Sequence, residues 1–590
     1  MIHIPSISLI DGFLVIISRI RSKCFTSKSE LAPKCVKGLA HSFALVFLLI
    51  YSDVSDAANL PLGPLATQDI EEEQRQRLEQ LEESTNALQE LTPAPTLPDS
   101  QPIEDTQCID IAEIQFSGNT QYSNQTLAEI SGFQPGCIGL NTINGYLRNI
   151  SNHYIEAGFV TSRAFMTPQD LSSGVLVIVI VEGKVEKVLF NGKQADFLVM
   201  ALPGISGTLL NLRDIEQGLD QVNRLSRYNA QIKLLPSSQQ GYSIVDIQTV
   251  EKGLVTIGAG LSNSGQKSTG EEQLSVSLTG ENFFKLLDLW SLRATKSAAI
   301  INSKDSESLY LGVDLPLGYW NLGYRTSYSN YITTFSNQGF TFDSSGKTNS
   351  HDAELKWLFY RDDVSKSALK TTISHRREKN YILGNLLEAG SRNLSSASLA
   401  WDHSTRFGGG FMSLSPKISL GTDWFGGEKT QSQDDSLPTA QFVKGSLAGS
   451  YTYPITQSLS LASTIFAQWS NDTLYGSERL SIGGEYSVRG FKGTSISGDE
   501  GYYWRNDVNY HLGQWPYIGL VSAQLALDTG TIVEDSKDAY ERGSLLGSSV
   551  SLKTQAKYAS SSLTFGFPIE APSRLSADDY VVYYRVDFSI

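Results

Sequence analysis

Charge, cysteine, methionine, histidine and long apolar runs are all scarce in this 590-residue chain, in which 18% of residues are charged and there are 4 Cys, 4 Met and 7 His. Beyond the N-terminal region no apolar run reaches the roughly 18 residues that a spanning helix needs, and the mean hydropathy is -0.17. A multi-span helical membrane protein is therefore excluded. The net charge of -15 comes without clusters of Lys and Arg, which excludes nucleic acid as a partner. No G-x-S-x-G elbow, H-E-x-x-H, Walker A or C-x-x-C motif occurs, so the sequence offers no enzyme active site, no metal site and no cofactor site. His403 and Ser404 are adjacent, but neighbours on a strand point to opposite faces and make no catalytic pair. Glycine (50), Tyr (26) and Phe (25) are plentiful. That composition suits many short strands and turns. The length asks for two to four domains rather than one core.

The N-terminal 57 residues read as a presequence. An apolar core, Phe43–Ile50, follows Lys34 and Lys37, and Ser55 and Ala57 stand at -3 and -1 of a cleavage site. The alternative is a short membrane anchor. An earlier apolar patch, Ile7–Ile17, lies too far upstream for a standard signal, so either the signal is extended or translation starts downstream. Cys24 and Cys35 would leave with this segment, and Cys108 and Cys137 remain as an even pair. In an exported chain such a pair predicts a disulfide, worth about 3–4 kcal/mol for a loop of about 30 residues. The alternative is two buried thiols.

Residues 68–91 contain no Gly or Pro, and only Ile70, Leu78, Leu81, Leu88 and Leu91 are large and apolar. They predict a polar helix about 36 Å long, which must lie in water, pair in a coiled coil or sit in a wet pore. Residues 92–106 hold four prolines and form a semi-extended linker. Residues 107–182 and 183–251 each run β-α-α-β-β, which predicts two small α+β modules in tandem.

From residue 252 to 590 the texture changes. Segments of about ten residues alternate apolar and polar, divided by Gly, Asn, Asp and Ser. Leu309, Leu311, Val313 and Leu315 share one face, against Tyr310, Gly312 and Asp314. Ala353, Leu355, Trp357 and Phe359 share another, and Leu358 breaks that pattern. In Val521–Asp528 the apolar face is Val521, Ala523, Leu525 and Leu527, leaving Asp528 on the polar side. The chain ends with Val582, Tyr584, Val586, Phe588 and Ile590 on one face and Arg585, Asp587 and Ser589 on the other. About sixteen such segments occur, the sixth beginning near residue 350. A sandwich would break into units of roughly 100 residues. An unbroken series with charge on one face predicts an all-β, sixteen-stranded antiparallel transmembrane barrel with lipid outside and water inside.

One inter-strand segment, about residues 470–500, is too long for a passive turn. At its centre stand Val488, Arg489, Gly490 and Phe491, within GGEYSVRGF. This resembles the VRGF loop of the two-partner secretion transporters, the TpsB family of ShlB/FhaC/HecB type, which share a superfamily with the barrel-assembly protein BamA. GFVTSR at 158–163, PQDLSSG at 168–174 and VEG at 181–183 resemble that family's first POTRA domain, whose frequent cysteine pair Cys108 and Cys137 match. The resemblance spans the whole mature chain.

The resemblance implies a fold and a role. The polar helix is a lumen plug, and the two modules are periplasmic POTRA domains. Arg489 pairs with Asp528, in LALDTG, on the barrel wall. Ala526 departs from the aromatic usual two positions before that Asp. The implied protein sits in the outer membrane as a single chain among lipid. It exports a large secreted TpsA-type exoprotein, an adhesin, haemolysin or toxin, and needs no cofactor. A BamA-like insertase, a diffusion porin and an outer-membrane hydrolase are the alternatives. Two POTRA modules are few for an insertase. A porin needs no VRGF loop, and a hydrolase needs a catalytic set.

Overall fold

The first described element, helix α1 (Ala66–Gln89), lies inside the channel formed by the C-terminal half of the chain. The computed structural model describes residues 66–89, 105, 107–298, 304–337, 340–430, 434, 436–535 and 542–590. The presequence at 1–57 and nearly all of the linker at 92–106 lie outside the described residues.

The first module is built on β1 (Cys108–Ile111), β2 (Glu113–Ser117), α2 (Asn124–Ser131), β3 (Gly136–Gly139), α3 (Leu140–Glu156), β4 (Arg163–Met166) and β5 (Val175–Val181). The Ser123 side chain accepts from the Thr126 N–H and starts α2; Gly132, at φ +75°, ends it. Helix α3 buries Ile143, Tyr146, Ile150 and Tyr154, a stripe at helical spacing. Strand β5 alternates and buries Leu176, Ile178 and Ile180 against it. Its sheet runs β2-β5-β4, with β2 and β5 parallel. A separate antiparallel ribbon, β1 with β3, carries Cys108 bonded to Cys137, with Cα atoms 5.2 Å apart. Residues 160–162 form the turn after Gly158, whose φ is +93°.

The second module repeats the plan with β6 (Lys184–Phe190), α4 (Leu198–Ala201), α5 (Leu212–Asn223), β7 (Gln231–Pro236) and β8 (Tyr242–Gln248). Its sheet runs β6-β8-β7, again with the first and last strands parallel.

Residues 255–589 close into a sixteen-stranded antiparallel barrel. A two-residue strand, Asn385–Leu386, merely extends one hairpin. The first barrel strand, Val255–Ser262, pairs with the last, Val581–Ser589, and seals the wall. Alternation decides which side each residue faces: Leu525 and Leu527 are exposed outward, while Gln524 and Asp528 are buried inward. The interruption at Leu358 is a register shift between Leu358 and Tyr360. Val521 is buried, unlike the exposed Leu525 and Leu527 on the same face. It lies opposite the irregularity between His511 and Gly513 in the adjoining strand.

The sixth barrel strand spans Phe340–Arg361, 22 residues, and so begins well before residue 350. About ten residues suffice to cross a bilayer. Past the lipid nothing selects apolar side chains, so DSSGKTNS at 343–350 shows no alternation while its ladder to Trp320–Asn337 continues.

The second module docks on the opposite rim of the barrel. Gln217 and Gln221 of α5 donate to the Gly318 carbonyl at 3.2 and 2.8 Å. Asp220 accepts from Lys366 at 2.7 Å and pairs with Arg361. Asp214 accepts from Tyr319 Oη at 2.6 Å. Short turns therefore face the modules, and the long strand extensions face away.

Candidate functional site: loop tip, barrel wall and plug

Between the strands Leu459–Ser470 and Gly501–Trp515 the chain folds into the lumen. The sequence shows no strands there, yet Leu480–Ile482 pairs with Ile496–Gly498 in a short ribbon. Three paired residues on each side are too few to show alternation. Ile482, Val488, Phe491 and Leu545 are fully buried together with Tyr503 in one apolar cluster. Val488 and Phe491 thus anchor the tip by packing, on either side of Arg489 and Gly490.

Arg489 is 3% exposed and Asp528 is 0% exposed. The guanidinium donates Nε–H to Asp528 Oδ2 at 2.5 Å and Nη2–H to Oδ1 at 2.6 Å, and the Arg489 backbone N–H reaches Oδ2 at 3.1 Å. Two parallel bonds from a planar fork fix both position and orientation. A second acid completes the site: Asp507 Oδ1 lies 2.7 Å from Arg489 Nη2. Asp507 is directly cross-strand from Ala526. Ala526 thus stands opposite one of the two acids and two residues before the other, where the family resemblance leads one to expect an aromatic. Arg505, paired in register with Asp528, donates to the Glu485 carbonyl at 2.8 Å.

The tip approaches the wall where side chains are missing. A Cβ on Gly547, the cross-strand partner of Asp528, would stand 1.9 Å from the Arg489 carbonyl oxygen. A Cβ on Gly490, at φ +106°, would stand 2.7 Å from the Phe567 carbonyl oxygen. Asp507 was within reach of sequence reasoning, because YYWRND alternates Tyr502 and Trp504 outward with Tyr503, Arg505 and Asp507 inward. Gly547 had no such signal, since strand glycines are common in this chain.

Helix α1 completes the arrangement. Gln74, Leu81 and Thr85 are buried on one face. Gln74 donates to the Ser481 carbonyl in the loop ribbon at 2.7 Å, and Leu81 joins the loop's apolar cluster. Arg77 lies over the Phe466 ring and donates to Tyr503 Oη at 3.3 Å. The opposite face holds Glu72, Glu73, Glu79 and Arg75, and Arg75 bonds Glu72 and Glu79 within the helix. The remaining space is a cavity of about 720 Å³ lined by serines and charged side chains, including Ser275, Ser308, Ser396, Arg293 and Lys417. Among the described residues no cluster of His, Cys, Asp and Glu could hold a metal.

A closed polar-lined barrel with two α+β modules on its inner rim is an outer-membrane transporter with its POTRA domains in the periplasm. Comparison with known proteins agrees. Residues 241–554 match the haemolysin secretion/activation proteins ShlB/FhaC/HecB, residues 109–183 a ShlB-type POTRA domain and residues 184–236 a POTRA domain. The outer membrane transporter CdiB of Dickeya dadantii (strain 3937) is 37% identical over 539 residues, covering 91% of this chain and 96% of that one. The hemolysin transporter protein ShlB of Serratia marcescens is 28% identical over 445 residues, covering 75% and 78%. The solved structure of CdiB from Escherichia coli superposes with a TM-score of 0.87 at 36% identity, covering 91% of this chain and all of that one. The chain belongs to the ShlB/FhaC/HecB family of two-partner secretion transporters, a family of transporters rather than enzymes.

Proposed function

We propose that this transporter recognises a large exoprotein of the TpsA type, an adhesin, haemolysin or toxin, and passes it unfolded through the barrel to the cell surface. The observation that carries this reading is a polar helix seated in a polar-lined lumen. A sixteen-stranded barrel leaves an aqueous channel, and the channel here is filled by a segment with mainly polar contacts. The client docks on the POTRA modules, where the edge strand β4 offers unpaired backbone beside exposed Phe165 and Met166. An extended client adds a strand there through main-chain hydrogen bonds. Helix α1 leaves the lumen on the linker at 92–106, and the client threads through in extended form. Folding of the client outside the cell supplies the drive.

In this scheme Arg489 and Asp528 are positioning residues. They hold the loop tip against the wall so that the lumen keeps one shape while the plug moves. Val488, Gly490 and Phe491 give the tip its packing and its close approach. The domain limits that fit the scheme are α1, the linker, POTRA modules at 107–182 and 183–251, and the barrel from 252 onward. One chain surrounded by outer-membrane lipid suffices.

Deleting the gene and examining the culture supernatant tests the reading. Loss of one large secreted protein supports it. Broad loss of other outer-membrane barrels instead supports a BamA-like insertase.

A further inference from the structure

At one point the plug is held by chemistry unlike the rest of its seat. Phe466 and Tyr503 face each other across the neighbouring strands Leu459–Ser470 and Gly501–Trp515. Both point into the lumen, while Ile465 and Trp504 are exposed on the lipid side. Their ring centroids are 5.6 Å apart with 30° between the planes. The guanidinium carbon of Arg77 stands 3.5 Å from the Phe466 ring centroid, and Nη1 donates to Tyr503 Oη at 3.3 Å. Leu81 and Ala448 belong to the same apolar cluster. Elsewhere the described lumen wall is dominated by serine and charge. If α1 leaves, the Phe466 ring loses Arg77 and Leu81 and faces the cavity, while Tyr503 keeps its packing against the loop and holds its hydroxyl beside that ring.

We propose that this aromatic pair is a seat for guanidinium side chains of the transiting polypeptide, and that Arg77 is its resting occupant. The inference rests on the plug reading above. Its chemistry comes from the occupant already present: a planar cation stacked on one ring and oriented by the hydroxyl of the next. Arginine fits both features. Lysine, a compact and strongly hydrated ammonium, satisfies them poorly. An arginine on an extended client can therefore replace Arg77 without leaving the Phe466 ring bare. A single contact of this kind changes an equilibrium by roughly tenfold, enough to bias a moving chain and too little to trap it.

The test uses the full chain in planar bilayers. Arg77→Ala empties the seat while α1 remains, and the time-averaged current should rise about tenfold over the unmodified protein. Ethylguanidinium at roughly 0.3 M should lower it toward the closed level, and ethylammonium at the same concentration should not. In Arg77→Ala/Phe466→Leu, which keeps an apolar side chain but removes the ring face, ethylguanidinium should have no effect. A flexible Gly/Ser peptide bearing arginines should interrupt the Arg77→Ala current about tenfold longer than its lysine counterpart. That difference should vanish in the double variant.

Equal interruption by the two peptides overturns the proposal even if ethylguanidinium closes the channel, because the seat then serves the plug alone. A channel shut in every variant counts against plug departure instead. The seat is then judged by fluorescence polarisation of a labelled arginine peptide on detergent-solubilised Arg77→Ala protein. Binding lost with Phe466→Leu supports the seat, and binding that is absent or indifferent to Phe466 overturns it.

Discussion

Replacing Arg489 by Lys keeps a positive charge at the loop tip and removes the fork. The native guanidinium satisfies both oxygens of Asp528 and also lies 2.7 Å from Asp507. A lysine ammonium on its flexible stem cannot make two parallel bonds to one carboxylate. The loss is that of one or two hydrogen bonds to a charged group, about 1.5–3 kcal/mol. With each 1.4 kcal/mol worth about tenfold, the docked loop should be depleted roughly 10- to 100-fold relative to undocked forms. Arg489→Ala is worse, because it strands a buried carboxylate; breaking such a pair costs about 3–5 kcal/mol. Asp507→Asn spares the fork to Asp528 and should be mild. The expected order of damage is therefore Arg489→Ala, then Arg489→Lys, then Asp507→Asn. The assay is the amount of exported protein in the culture supernatant, with heat-modifiable gel migration confirming that each barrel has folded. Normal export by Arg489→Ala, or equal damage from Asp507→Asn and Arg489→Ala in folded barrels, would refute the reasoning.

Three further outcomes are expected. Gly547→Ala should displace the tip, since the added carbon meets the Arg489 carbonyl oxygen at 1.9 Å; export should fall with the barrel intact, and wild-type export would show that the tip need not sit there. Thiol labelling of the unreduced mature protein should find no reactive cysteine, and reduction should destabilise the first POTRA module by about 3–4 kcal/mol; two labelled thiols would end the claim. Glu182, in that module, accepts from the Thr120 and Gln121 N–H groups at 2.8 Å, from Tyr154 Oη at 2.8 Å and from the Thr120 hydroxyl. Burial pushes its carboxyl pKa up, but these bonds outweigh it and hold the carboxyl below the usual range. A depressed pKa adds stability above the ordinary carboxylate value, and that stability is lost as pH falls through the lowered value. The stability gap between the unmodified module and Glu182→Gln, read by denaturant titration, should close in acid; a gap independent of pH contradicts the assignment.

The barrel was legible because lipid imposes a rule on every second residue. Where lipid ends, as at residues 343–350, the rule lapses and the ladder continues unseen. The POTRA plan was legible as two successive β-α-α-β-β runs, but the turn at Gly158, set by its positive φ, lies in no such pattern. Asp528 stood out by its phase within Val521–Asp528, and Asp507 carries the same signal in YYWRND. The contact of Arg77 with Tyr503 joins residues 426 positions apart, and no local pattern marks either end. The close approach at Gly547 was hidden for a different reason: what matters there is an absent side chain, and the partner is a carbonyl that every residue carries.

The central claim is that α1 corks the channel and must leave for transport. Gln74 touches the Ser481 carbonyl, so Gln74→Cys/Ser481→Cys, bridged by oxidation or a short bis-thiol linker, tethers the plug to the loop in the intact protein. With the single-cysteine variants as controls, the account predicts that export stops in the bridged protein and continues in the unbridged double variant. Undiminished export through fully bridged transporters would contradict it.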